Sequence, residues 1–86
     1  GRGMAARYGG EEFVILMPDT PLAQAELQCQ YLREAVAHLP MGLPITISIG
    51  LAAQHPGESA QETLRRADAA LYQAKAQGRD RVVVAS

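Results

Sequence analysis

Phe13-Val14-Ile15-Leu16-Met17 is the stretch that most restricts what this chain can become. It contains no polar position, so it does not read as a strand with one wet face. Bounded by Glu11-Glu12 and Pro18, it is too short for a buried helix and reads as a strand covered on both faces. Such a strand needs hydrogen-bonding neighbours in a sheet and apolar layers above and below it.

The rest of the sequence supplies candidates for both. Met4 to Tyr8 reads as extended, and Gly9-Gly10 as a turn, because glycine reaches positive φ without steric cost. Residues 4–17 are therefore expected to form a β-hairpin with its tip at residues 9–11. Pro18 ends the second strand. Thr20 is the expected N-cap of a helix and Pro21 its first residue. The helix would bury Leu22, Ala25, Cys29, Leu32, Val36 and Leu39, spaced by three and four. Leu39 to Pro44 turns the chain. Ile45, Ile47 and Ile49 then alternate with Thr46, Ser48 and Gly50, a strand period running to Ala52. After a loop at Gln54–Glu58, Ser59 and Glu62 form a capping box. The second helix would bury Leu64, Ala67, Leu71 and Ala74, with Gly78 as the left-handed residue after it. Val82-Val83-Val84 is a last short strand. The order β-β-α-β-α-β predicts an α+β fold, with helices covering a sheet.

Composition narrows the function classes. The 86 residues suit one domain or a piece of one. At 48% hydrophobic and 20% charged they are those of a folded globular protein. Eight basic against nine acidic residues give a net charge of −1, which does not support nucleic-acid binding by a basic surface. No apolar run approaches a membrane span. The single cysteine, Cys29, excludes an internal disulfide and fits a reducing, cytoplasmic setting, while leaving a membrane anchor elsewhere in a parent protein open. On the helical stripe it reads as a small core hydrophobe. A structural zinc site is excluded on ligand count.

Two places can carry chemistry. At Gly9-Gly10-Glu11-Glu12 two glycines permit close approach of a ligand to the backbone, and two carboxylates concentrate negative charge. That combination suits Mg²⁺, which takes one or two protein carboxylates and completes its shell with water and phosphate oxygens. On composition alone, a solvated hairpin tip is the plainer reading. Lys75, the only lysine, and Arg79 lie four apart at the end of the second helix. They complement the helix dipole, and they are also spaced to clamp a polyphosphate. Arg65 and Arg66 read as solvated helix residues, and His38 and His55 as surface.

Three blocks together resemble the GGDEF domains, the bacterial diguanylate cyclases. Arg7-Tyr8-Gly9-Gly10-Glu11-Glu12-Phe13 resembles the family signature in its Glu-for-Asp variant. Ile45 to Ala52 resembles the strand ending in Ser-Ile-Gly, and Leu64 to Asp80 the closing helix with its Ala-Lys-x-x-Gly-Arg ending. The resemblance implies condensation of two GTP molecules to cyclic di-GMP and two pyrophosphates, across an antiparallel homodimer. It implies that Gly9 and Gly10 let the hairpin approach the nucleotide. Glu11 would be the chief metal carboxylate, Glu12 a supporting one, and Lys75 and Arg79 the phosphate contacts. The cofactor would be Mg²⁺ or Mn²⁺, and the parent chain would carry a sensory or receiver domain.

The chain resembles only the C-terminal half of that domain. A metal-binding Asp on a mid-sheet strand and the residues that read guanine would lie before it, so residues 1–86 are expected to be one partial domain, inactive by itself. Removal of a central strand is expected to give either an intertwined dimer or a sheet in which the two strand groups meet directly. Asp80 stands where the family has Asn and sets a negative charge beside Arg79. The family's product-inhibition Asp would fall at Gly3, so either the native protein lacks that site or residues 1–3 are foreign to it. The competing reading is an inactive GGDEF module that senses GTP or serves dimerisation.

Overall fold

A computed structural model describes residues 3–18, 21–39 and 45–85. Its elements are β1 (Met4–Gly9), β2 (Glu12–Pro18), α1 (Leu22–Ala37), β3 (Ser48–Gln54), α2 (Ala60–Ala76) and β4 (Val82–Val84), in the expected β-β-α-β-α-β order. One mixed sheet runs β1-β2-β3-β4. β1 and β2 are antiparallel, whereas β2, β3 and β4 are parallel. The two strand groups meet directly: Phe13 pairs with Ile49, Ile15 with Leu51 and Met17 with Ala53.

Alternation along the strands sends side chains to two separate cores. Val14 and Leu16 point to one face and pack with Ala52 and with Ala67 and Leu71 of α2. Ile49 and Leu51 point to the other and pack with Ala25 and Cys29 of α1. The helices therefore lie on opposite faces. α2 sits closest, directly over β3. A β-carbon at Gly50 would overlap the Ala67 carbonyl oxygen and stand 2.5 Å from the Leu71 nitrogen, so only glycine admits the helix at this distance. Cys29 is a buried core residue, as its place on the stripe predicts.

Several expectations need correction. β3 begins at Ser48 rather than Ile45. Its first partner is Glu12, the first residue of β2 after the hairpin turn, so residues 45–47 have no strand beside them to extend the ladder. The both-face burial expected of β2 is met for Val14 and Leu16, while Phe13, Ile15 and Met17 are half-buried. α1 covers mainly β3 and β4 on that side. For the same reason its stripe is only partly covered: Ala25 and Cys29 are buried, but Leu32 and Leu39 are each 47% exposed. Pro21 occupies the N-cap position, not the first helical one, and makes no side-chain cap. Thr20 and the Pro40–Pro44 turn lie outside the described residues.

α2 begins as its sequence predicts. The Glu62 amide donates to Ser59 Oγ at 3.1 Å and the Ser59 amide to Glu62 Oε1 at 3.2 Å. Arg66 is not a solvated helix residue. Its Nε and Nη2 donate to the two Glu58 carboxylate oxygens at 2.7 and 2.8 Å, and Nη2 also reaches the Ala53 carbonyl. Thr63 Oγ1 donates to Glu58 Oε1 at 2.8 Å as well. The 54–58 loop is thus fastened to α2, and Arg66, followed by the His55 amide, holds the Glu58 carboxyl well below the usual carboxylate range.

Candidate functional site

The β1–β2 hairpin closes on the pair Gly9 and Glu12, with Gly10 and Glu11 as the turn between them. Neither Gly9 nor Gly10 has a positive φ, so the conformational freedom anticipated for them is not what the turn uses. What they provide is space. A β-carbon on Gly10 would come no nearer than 3.8 Å to the Arg7 guanidinium, and one on Gly9 would come no nearer than 3.5 Å to the Glu12 carboxylate. The backbone is open to a bulky ligand there. Arg7 Nε donates to the Gly9 carbonyl at 2.9 Å and braces the turn. A register shift between Arg7 and Gly9 takes Tyr8 out of the ladder. Its phenol meets Asp68 of α2, whose hydrogen bond, joined by burial and by the carboxylate charge, pushes it up to about 12.

Glu12 is the meeting point of the two candidate clusters. Its Oε1 accepts from Lys75 Nζ at 3.1 Å and its Oε2 from Arg79 Nη1 at 3.3 Å. Lys75 lies in the last turn of α2. Beyond the Gln77 cap, Gly78 has φ 117°, the left-handed residue its position predicts. The Arg79 amide returns to the Ala74 carbonyl at 2.9 Å and the Gly78 amide to that of Lys75 at 3.3 Å, the paired bonds of a Schellman ending. That reversal brings Arg79 back alongside Lys75. The Lys75 hydrogen bond first, then that of Arg79, outweigh desolvation and lower the Glu12 carboxyl below its ordinary value. At 25% exposure the Glu12 side chain is within reach of solvent and of a competing anion.

Glu11 differs from its neighbour. It lies exposed in the turn, and its carbonyl accepts from the Ser48 amide at 2.9 Å, which fixes the backbone and leaves the carboxylate facing outward. An exposed carboxylate beside open backbone is the donor a hard cation takes. Among the described residues no group of three or more His, Cys, Asp and Glu side chains is assembled. Glu11 and Glu12 are thus two carboxylates without a third such side chain gathered to them among the described residues.

Asp80 does not turn its charge on Arg79. Its Oδ1 accepts from Arg33 Nη1 of α1 at 2.8 Å, and its amide donates to Ser48 Oγ at 3.1 Å. Its φ is 48°, a region that Asn and Asp tolerate better than other side chains. His38 and His55 are exposed, as expected. Sequence reasoning brought Gly9, Gly10, Glu11, Glu12, Lys75 and Arg79 forward, and the fold gathers the glycines, both glutamates and both cations at one end of the sheet. It did not find Arg33, Ser48 or the Tyr8–Asp68 contact. No periodicity marks a single polar side chain that meets a partner across the sheet.

The architecture is thus a mixed sheet carrying an open double-glycine hairpin, whose second glutamate is held by Lys75 from the last turn of α2 and by Arg79 from the loop after it. The family described as diguanylate cyclase, GGDEF domain, matches residues 1–81. The chain belongs to this family. It is 48% identical over 81 residues to diguanylate cyclase DgcM of Escherichia coli, covering 92% of this chain and 20% of that protein. It is 46% identical over 88 residues to the response regulator PleD of Caulobacter vibrioides, covering 93% and 19%. Diguanylate cyclase DgcP of Pseudomonas aeruginosa is 45% identical over 85 residues, with 93% and 13% covered. The chain thus spans about a fifth or less of the length of these relatives. No solved structure matches it. No helix among the described residues is long and apolar enough to cross a membrane.

Proposed function

We propose that this chain is the phosphate-holding and hairpin portion of a diguanylate cyclase domain, whose reaction joins two GTP molecules into cyclic di-GMP and releases two pyrophosphates. The observation that carries the reading is the contact of Glu12 with both Lys75 and Arg79, beside a turn that Gly9 and Gly10 leave open. One Glu12 carboxylate meets both cations and offsets only one of their two charges. A triphosphate offers them more charge than one carboxylate does and takes them over. Lys75 contributes a compact charge and Arg79 a planar fork for phosphate oxygens. Glu12, released from both, then stands beside Glu11 with its carboxylate available.

Glu11 and Glu12 would hold Mg²⁺ or Mn²⁺ together with phosphate oxygens and an Asp supplied from outside this chain. The bound ion would offset negative charge on the phosphates and on the attacking oxygen. The chain's own residues do the positioning. Gly9 and Gly10 admit the nucleotide to the backbone, Lys75 and Arg79 orient its phosphates, and Ser48 anchors the Glu11 carbonyl so that the carboxylate keeps its outward direction. Each of two such domains would present one GTP, so the working unit is a homodimer, within a longer cytoplasmic protein that carries a sensory or receiver domain. For residues 1–86 by themselves we propose phosphate holding without synthesis, because the carboxylates gathered here make only part of a metal shell.

The intact protein incubated with GTP and Mg²⁺ should yield cyclic di-GMP, read by mass spectrometry. Residues 1–86 alone should yield none while still binding inorganic triphosphate weakly. An intact protein that folds and releases no cyclic di-GMP in any activating condition would leave a GTP-sensing or dimerisation module as the better reading.

A further inference from the structure

Arg79 and Asp80 are successive non-glycine residues at φ 63° and 48°. A left-handed backbone is costly for side chains other than glycine and persists where the surroundings over-determine it. The Schellman ending of α2 accounts for Gly78 and fixes the Arg79 amide, but it does not reach Asp80. Asp80 has two anchors of its own. Its carboxylate takes the Arg33 guanidinium at 2.8 Å, with Arg33 itself only 20% exposed and steadied by Gln30 Oε1 at 2.9 Å. Its amide donates to the hydroxyl of Ser48, which is 2% exposed. The Ser48 amide in turn donates to the Glu11 carbonyl. One buried serine therefore ties the glutamate turn to the loop that carries Arg79, and α1 fastens the same loop from the side.

We propose that Arg33 and Ser48 are positioning residues for Arg79: acting through Asp80, they hold the 78–80 loop in the conformation that aims the Arg79 guanidinium at the Glu12 carboxylate or at the phosphate that displaces it. The part concerning phosphate rests on the function proposed above; the part concerning the loop does not. Asp80 serves here as the acceptor for Arg33, a role an amide oxygen also fills, though with a weaker bond than a carboxylate. Asp80→Asn therefore keeps both anchors, whereas Arg33→Gln removes one and Ser48→Ala the other.

Two measurements on this chain separate the two parts. The first uses no ligand. A positive φ brings an amide proton close to its own Hα, so the intraresidue amide–Hα NOE of Arg79 and Asp80 reports the loop directly. It should be strong in the wild type and in Asp80→Asn and weak in Arg33→Gln and Ser48→Ala. Strong NOEs in Arg33→Gln overturn the inference, and this variant of a half-buried helix residue decides it if Ser48→Ala fails to fold. The second is a titration with inorganic triphosphate, read at the Lys75 and Arg79 amides. Arg33→Gln should weaken binding three- to tenfold, Asp80→Asn should match wild type, and Arg33→Gln should cost nothing further in an Arg79→Ala background. A full additional loss in that background overturns positioning in favour of a general effect on the fold. Wild-type protein that ignores triphosphate defeats the phosphate-holding function and the phosphate part of this inference, while the NOEs still decide the loop.

Discussion

Glu12 and Lys75 lie 63 positions apart in sequence and meet at 3.1 Å, with Arg79 completing the contact from the other carboxylate oxygen. The pair joins the strand after the glycine turn to the last turn of α2, so a hairpin and a helix ending become one site. In the intact protein, Lys75→Ala and Arg79→Ala should each lower kcat/KM for GTP about tenfold or more, since a hydrogen bond to a charged group contributes ~1.5–3 kcal/mol. Steady-state kinetics would check this. If both variants match wild type in kinetics and GTP titration, the pair is a capped helix end and nothing more.

Glu11→Gln should abolish cyclic di-GMP synthesis and leave the fold intact. The side chain is exposed in the turn, and it is the backbone carbonyl that is engaged, with the Ser48 amide. On the function proposed above, loss of the carboxylate would remove a ligand for the cation, with an expected rate loss on the order of 10²–10³ or more. Product formation and a melting curve should be measured on the same preparation. Normal turnover at a normal melting temperature would remove Glu11 from the chemistry.

Much of this arrangement was legible in the sequence, for reasons that differ by element. The capping box at Ser59–Glu62 and the glycine after α2 are local chemistry, complete within a few residues, and both stand in the structure as read. The order of elements followed from the same local signals. The start of β3 was not legible, because alternation at Ile45, Ile47 and Ile49 reports a willingness to be extended and not the presence of a partner; the partner strand begins only at Glu12. Nor was the thin cover on one face of β2 legible, since it depends on where α1 lands. Arg66 looked solvated because its acceptor, Glu58, precedes the helix by a loop whose shape the sequence does not state. Glu12 was placed as a carboxylate and Lys75 as a cation, but that they hold each other is a property of the fold alone.

The Glu58–Arg66 contact makes acid stability testable. Arg66 lowers the Glu58 carboxyl from an ordinary 4.5. A group whose folded pKa is depressed stabilises the protein fully above its unfolded pKa, and this contribution is lost as pH falls through the folded value. Glu58→Gln should therefore melt below wild type at neutral pH, with the two melting temperatures drawing together as pH drops below about 4.5. The narrowing begins below about 4.5 because the unfolded chain takes up its Glu58 proton there, while the folded chain does so only at lower pH. Thermal melts across pH 2–7 would show it. A gap that stays constant with pH would mean that Glu58 acts through packing and not through its charge.

Gly50→Ala tests whether α2 is seated on β3 as closely as described. The added methyl would meet the Ala67 carbonyl and the Leu71 nitrogen and β-carbon, the last at 2.9 Å. Two of those three atoms belong to helix backbone, so no side-chain rotation relieves the overlap; α2 as a whole has to move away from the sheet. Overpacking of this kind costs about 1–3 kcal/mol. The shift would also carry Lys75 away from Glu12, because Lys75 rides on α2 while Glu12 stays in the sheet on β2, the strand paired with β3. Urea unfolding should show the loss of stability, and triphosphate binding measured where the variant is still folded should be weakened along with it. A Gly50→Ala chain as stable as wild type would mean that the helix stands further off the sheet.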